Sequence, residues 1–352
     1  MTADVRRDAA MQWVATRYPN QPFEFAPASA DASFRRYFRA TFTDGARRPS
    51  NFIAHGPLES LIVMDAPPEQ GEDCRPFVEV ASLFGQAGAN VPNVHAADLE
   101  RGFLLLDDLG ATTFLDALNS TTDETVADGL YRDAISTLIG IQQSSRTGVL
   151  RDYDHAILAR ELQLFPDWFI TRQLGRTLKP SEQALMGNTF AAIVANNLAQ
   201  PRVFVHRDYH SRNLMVSAPN PGVLDFQDAL YGPITYDLVS LLRDAYISWP
   251  EAQVLDWAIR YWSDARGKGL PVHADFANFY RDFEWMGVQR QLKVVGIFAR
   301  LAIRDGKRRY LDDQPLVMRY LRAACARYIE LKPFSRLLDD LTGTAQNVGY
   351  TF

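Results

Sequence analysis

Phe204-Val205-His206-Arg207-Asp208-Tyr209-His210-Ser211-Arg212-Asn213-Leu214 is the stretch on which the reading of this chain turns. Val203 to Val205 are β-branched and aromatic and Leu214 to Val216 are apolar, so strand signals bracket the polar run between them. Ser217 to Gly222 then supplies two prolines, an asparagine and a glycine before Val223-Leu224-Asp225 resumes the strand pattern, which is a hairpin signature. A turn centred on Pro219 and Asn220 places Val216 opposite Val223 and brings Asn213 across from Asp225 and Phe226. A carboxamide and a carboxylate then meet at the hairpin mouth, with a second carboxylate, Asp208, just ahead. Metal-assisted phosphoryl transfer needs such a set. Asp208 accepts the proton of an acceptor hydroxyl, while Asn213 and Asp225 hold Mg2+ against the triphosphate of ATP.

Size and composition narrow the setting. A chain of 352 residues is long for one compact core, so about two domains are expected. No apolar run is long enough to span a bilayer, and Met1 to Trp13 mixes Asp4, Arg6, Arg7 and Asp8 where a secretory peptide needs an apolar centre. Cys74 and Cys325 are the only cysteines and have no metal-ligand spacing, which suits a reducing cytoplasm. The net charge of −5 argues against nucleic acid as a partner and for a small molecule.

Ala3 to Arg17 repeats apolar residues at helical spacing and stops before Pro19. Phe23 to Ala26 and Phe34 to Phe42 read as strands around Ala28-Ser29-Ala30-Asp31-Ala32-Ser33. A loop of small residues lets backbone N–H groups approach phosphate oxygens; equally, this one is an ordinary hairpin turn, since it holds no glycine. Leu61 to Met64 is a buried strand, Phe77 to Gly88 a helix, and Val91 to Asp98 with Gly102 to Asp107 a further strand pair. From Thr112 the chain turns helical, over Phe114 to Leu118, Thr125 to Gln142, Ala156 to Arg172 and Glu182 to Leu198, with Asp123 and Ser181 as N-caps. Pro233 to Tyr246 is helical, and Val288, Leu292, Val295 and Ala299 form a core stripe further on, with polar residues between them facing a cleft or water.

The pattern His206-x-Asp208-x-x-x-x-Asn213, followed by Asp225-Phe226, resembles the aminoglycoside phosphotransferase and choline kinase branch of the protein-kinase-like fold. The resemblance implies an α+β, two-lobed architecture. Residues 1–106 form a small antiparallel nucleotide lobe with one main helix, residues 107–111 a hinge, and residues 112–352 a larger, mostly helical catalytic and substrate lobe. The hinge backbone near Asp107 and Leu109 meets adenine, and His206 and Asp237 support the catalytic loop. The lysine that the resembled fold carries on its third strand is absent, for no lysine precedes Lys179, and Glu79 stands where the helix acid would be. The triphosphate is therefore assigned to Ser29, Asp31, Ala32 and Ser33 with Arg36, and Arg35 is expected on the opposite strand face. Only seven residues separate Asp225 from Pro233, too few for the activation segment of a protein kinase, which favours small acceptors.

Asp31 to Tyr37, Met64-Asp65-Ala66-Pro67-Pro68, Leu104 to Gly110 and Gly287 to Leu301 are similar to one subgroup, the bacterial N-acetylmuramate and N-acetylglucosamine anomeric kinases. That resemblance implies ATP and Mg2+ as cofactors and an amino sugar as acceptor, in cell-wall recycling. His210, Arg212, Glu284 and Arg290 are the candidate acceptor-binding residues, arginine being suited to a lactyl carboxylate. No nucleic-acid or membrane partner is expected, and the chain is expected to be a monomer. The competing readings are an aminoglycoside or choline-type phosphotransferase and a nucleotide-binding regulatory module without turnover. Cationic acceptors call for an acidic or aromatic site, and the set Asp208, Asn213 and Asp225 speaks against a module without turnover.

Overall fold

The computed structural model describes residues 4–30, 34–46 and 58–343. In chain order the elements are α1 (Val5–Ala15), β1 (Phe23–Ala30), β2 (Arg36–Ala46), β3 (Leu58–Asp65), α2 (Arg75–Gln86), β4 (Val94–Asp98) and β5 (Phe103–Asp107). Next come α3 (Phe114–Asn119), α4 (Glu124–Gln143), α5 (His155–Leu164), α6 (Pro180–Ala199), β6 (Arg202–Val205), β7 (Leu214–Met215), β8 (Gly222–Val223) and β9 (Leu230–Pro233). Five helices follow among the described residues: α7 (Tyr236–Leu242), α8 (Glu251–Gly267), α9 (Phe276–Arg304), α10 (Tyr310–Arg327) and α11 (Lys332–Thr342). No helix among the described residues is long and apolar enough to cross a membrane.

Two compact units emerge, Met1–Thr113 with Leu214–Asp228, and Phe114–Asn213 with Ala229–Phe352. The first is built on an antiparallel sheet of order β1-β2-β3-β5-β4. Alternation along β2 sends Phe38, Ala40 and Phe42 to one face, where Trp13 and Val14 of α1 bury them together with Val63 and Leu105. Phe77 and Phe84 of α2 receive Phe226, with ring centroids 4.7 and 6.1 Å apart.

The hairpin Leu214–Asp228, which the sequence places in the second lobe, groups with the first unit. Its backbone explains why: Val216 N–H donates to Thr112 O at 2.9 Å and Val223 N–H to Asn90 O at 2.8 Å. A Cβ on Gly222 would stand 2.8 Å from Ser217 Oγ and 2.9 Å from Leu109 Cδ1, so a larger residue there would push these side chains aside. Its register also differs from expectation, since Leu214 pairs with Val223 and Met215 with Gly222. Pro219 and Pro221 have no N–H for a ladder, so the turn takes in Val216 as well, and Ser217 N–H donates to Asn220 Oδ1 at 3.4 Å. Similarly, β1 runs through Ala28 to Ala30, where a loop is expected, with an irregularity between Pro27 and Ser29. Asp31, Ala32, Ser33 and most of the Arg47 to Glu59 stretch lie outside the described residues.

The second unit is helical around α9. Phe283 to Gly296 is buried on every side, polar residues included, so the polar positions between the apolar stripe face protein rather than water. Gly296 allows this. A Cβ there would meet the Leu164 carbonyl at 2.5 Å, where α5 opens into a wider π-type coil over Phe165–Gln173. Strand β9, not apparent in the sequence, pairs with β6 through Phe204 and Tyr231, and Val205 and Leu230. Asp123 caps α4 as expected, whereas α6 starts at Pro180 after Lys179, whose N–H meets Glu182 at 2.7 Å, leaving Ser181 inside the first turn.

Candidate active site

The loop that leaves β6 is anchored residue by residue within the second unit. His206 N–H and Arg207 N–H donate to the two carboxylate oxygens of Asp237, at 2.6 and 2.9 Å, from the start of α7. Tyr209 OH reaches Ala134 O on α4 at 2.8 Å, and Asp244 Oδ2 accepts from both Ser211 N–H (3.0 Å) and Ser211 Oγ (2.5 Å). Asn213 Nδ2 closes the loop on Asp208 O at 2.9 Å, and Asp208 N–H turns toward His206 Nδ1 at 3.2 Å. Arg207 sits at φ 80, a left-handed conformation that costs any residue with a Cβ energy and persists only where its surroundings impose it.

Asp208 itself is half-buried, and its carboxylate accepts no hydrogen bond from a described residue. Burial pushes its pKa up, but Lys293, His210, Arg290 and Arg207 outweigh that and hold it at about 2. The carboxylate is therefore ionised and able to take a proton. Asp237 is the counterpart. Burial pushes it up to about 7, against the two N–H donors and with the help of the Asp208 charge.

Glu161 lies beneath this loop and is a residue that sequence reasoning missed. Its carboxylate is 2.5 Å from Arg207 Nη2 and 3.2 Å from Lys293 Nζ, and accepts from Gln289 Nε2 at 3.0 Å and from Tyr153 OH. Lys293 Nζ also donates to Tyr236 OH at 2.9 Å. Burial raises the Glu161 pKa, yet the Lys293 and Arg207 charges outweigh it and hold the carboxyl below its usual range; burial lowers Lys293, and Glu161 more than restores it. The only signal in the sequence was a lysine and a glutamine set into an apolar helical stripe.

The candidate acceptor residues divide. Arg290 is 4% exposed and has no hydrogen-bond or ion-pair partner among the described residues, while its charge bears on Asp208 and Asp237. His210 packs edge-on to Tyr246 with its Nδ1 buried and unpartnered, and burial lowers its pKa. Arg212 lies over the Tyr246 ring, 3.5 Å from the centroid, and 3.9 Å from Asp313. Glu284 does not fit the role. Its oxygens are occupied by Arg327 and by Tyr328 OH at 2.6 Å, so it ties α9 to the end of α10.

In the first unit, Arg36 is likewise committed. It shares the α1 face of β2 with Phe38 and pairs with Asp65 at 2.6 Å and Asp4 at 2.5 Å. Arg35 instead pairs with Glu72 at 2.7 Å and feels the charge of Asp228, just beyond the hairpin. Even-numbered β2 residues point at α1, so Arg36, the expected phosphate cation, lies on the α1 face of the sheet. Ser29 pairs with Tyr37 across the ladder. Asp107 N–H is taken by Asn93 O at 3.2 Å and its carboxylate by His95 at 2.6 Å, whereas Leu109 N–H meets no described partner. Asp225, at φ 63, accepts from Gln227 Nε2 at 2.7 Å. Asn213 and Asp225 offer a carboxamide and a carboxylate, oxygen donors of the kind Mg2+ takes.

Comparisons with known proteins agree with this chemistry. A Neisseria meningitidis serogroup B protein named N-acetylmuramate/N-acetylglucosamine kinase is 50% identical over 341 residues, 97% of each chain. A Pseudomonas aeruginosa protein of the same name is 52% identical, covering 92% of this chain and 90% of its own. The crystal structure of a choline/ethanolamine kinase family protein from Mesorhizobium loti superposes with a TM-score of 0.59 at 13% identity, over 94% of this chain and 99% of that one, and so shares the fold. The profile of the phosphotransferase enzyme family matches residues 24–276, a span that holds the catalytic loop, the hairpin and the sheet. The chain is an enzyme that belongs to this phosphotransferase family.

Proposed function

We infer that the protein transfers the γ-phosphoryl group of ATP to the anomeric hydroxyl of N-acetylmuramic acid and N-acetylglucosamine, in the recycling of peptidoglycan. The observation that carries the reading is Asp208: an ionised carboxylate that accepts no hydrogen bond from a described residue, on a loop pinned by Asp237 and Asp244. The acceptor oxygen bonds to phosphorus, the bond from phosphorus to the bridging oxygen of ADP breaks, and the hydroxyl proton passes to Asp208. The names borne by relatives at 50% and 52% identity support the amino sugars as acceptors.

Asn213 and Asp225 would hold Mg2+, which when bound neutralises charge on the phosphates. Leu109 N–H is the candidate for the adenine edge, and Arg35 replaces Arg36 as the candidate phosphate cation of the first unit. His206 and Asp237 hold the loop in shape. The enzyme works in the cytoplasm as a monomer. Purified protein incubated with Mg·ATP and a panel of N-acetylmuramic acid, N-acetylglucosamine, an aminoglycoside and choline tests this directly. ADP release with a phosphosugar mass is expected for the two amino sugars; turnover confined to the aminoglycoside or choline, or to none, overturns it.

A further inference from the structure

Three cations stand on or beneath the catalytic loop in the second unit, and they are not equivalent. Arg207 and Lys293 share Glu161. Arg290, one turn before Lys293 on α9, is equally buried and has no hydrogen bond or ion pair with any described residue. Its charge reaches Asp208, Asp237 and His210, yet it donates to neither carboxylate. A guanidinium almost wholly withdrawn from water, with no partner among the described residues, is costly, and the fold retains it. Beside it stands the unpartnered Nδ1 of His210, also buried.

A planar fork of donors matches a carboxylate held in two-point contact. N-acetylmuramate carries such a group, as a lactyl ether on ring carbon 3, two carbons from the hydroxyl that is phosphorylated, and N-acetylglucosamine carries a plain hydroxyl there. We propose that Arg290 receives the lactyl carboxylate of the acceptor and so favours the anionic over the neutral amino sugar. This rests on the amino-sugar reading above. The dependence on the sugar separates it from two other roles: were Arg290 only a clamp on the transferred phosphoryl group, or only a tuner of Asp208, both sugars would depend on it alike.

Steady-state kinetics of the full-length enzyme and Arg290→Gln with both sugars decides. Turnover of both sugars by the unaltered enzyme tests the reading itself; the variant tests only the inference. The ratio of kcat/KM for N-acetylmuramate to that for N-acetylglucosamine should fall by about tenfold or more, the loss of one charge-assisted pair, and the fall should lie mainly in KM. Arg290→Lys, which keeps the charge without the fork, should recover part of the ratio, and it carries the test if Arg290→Gln fails to fold. An unchanged ratio, whether from equal losses or from none, overturns the proposal.

Discussion

In the first unit Arg35, Arg36 and Arg39 leave one strand for three carboxylates, Glu72, Asp65 and Asp108, with 15%, 37% and 29% of their side chains still exposed. In the second, Arg207 and Lys293 share Glu161 as their acid at one loop, Arg290 stands near them without it, and Arg290 and Lys293 are 4% and 7% exposed. The first set ties elements together: Arg36 joins β2 to β3 and to the residue before α1, and Arg39 joins β2 to the chain after β5. The second set establishes a local positive potential, and its product is an ionised Asp208. Solvent access makes the difference, because the same charge pair is screened at the surface and nearly unscreened when buried.

The largest test of this contrast removes the group the buried cations serve. Asp208→Asn should lower kcat by about 10²–10⁴, since a carboxamide keeps the shape and cannot accept the proton. Calorimetry should find Mg·ATP affinity within a few-fold; activity within a few-fold of the parent enzyme would remove Asp208 from the chemistry. Next, Glu161→Ala leaves Arg207 and Lys293 buried without their acid and should cost about 3–5 kcal/mol in urea unfolding. Asp4→Asn, which takes one partner from half-exposed Arg36, should cost no more than about 1 kcal/mol. Equal costs would erase the distinction between the two sets.

Asp237 sharpens it through pH. Its folded pKa, pushed up to about 7 by burial from an ordinary 3.8, means that the folded state holds more proton than the unfolded one between those values. Its contribution to stability is therefore full below about pH 4 and lost as pH rises through about 7. Asp237→Asn abolishes that dependence. The stability advantage of the parent over the variant should shrink by on the order of a few kcal/mol from pH 4.5 to pH 8; an advantage that grows with pH would reverse the sign. The smallest effect concerns nucleotide. Arg35→Ala should raise the Michaelis constant for ATP by roughly tenfold, one charge-assisted contact, and Arg36→Ala by much less. The opposite order would return the phosphate to the α1 face of β2.

The candidate catalytic residues were legible because the proposed chemistry calls for them in a short block: His206, Asp208, Asn213 and Asp225 are close in the chain, so their order and spacing can be read without a partner from elsewhere. Helices with one apolar stripe were legible for the same local reason. Tertiary structure decided what depends on partners distant in sequence. Glu161 meets Arg207 and Lys293 across 46 and 132 positions, Arg36 meets Asp65 from another strand, and Glu284 is claimed by a helix more than forty residues on. Which face of β2 looks at α1 is likewise settled by Trp13 and Phe38 packing together, and a shift of one residue reverses every side chain. Local periodicity specifies which residues form an element. Only the packing of elements separated along the chain specifies which charges are paired, and it leaves buried Arg290 without a partner among the described residues.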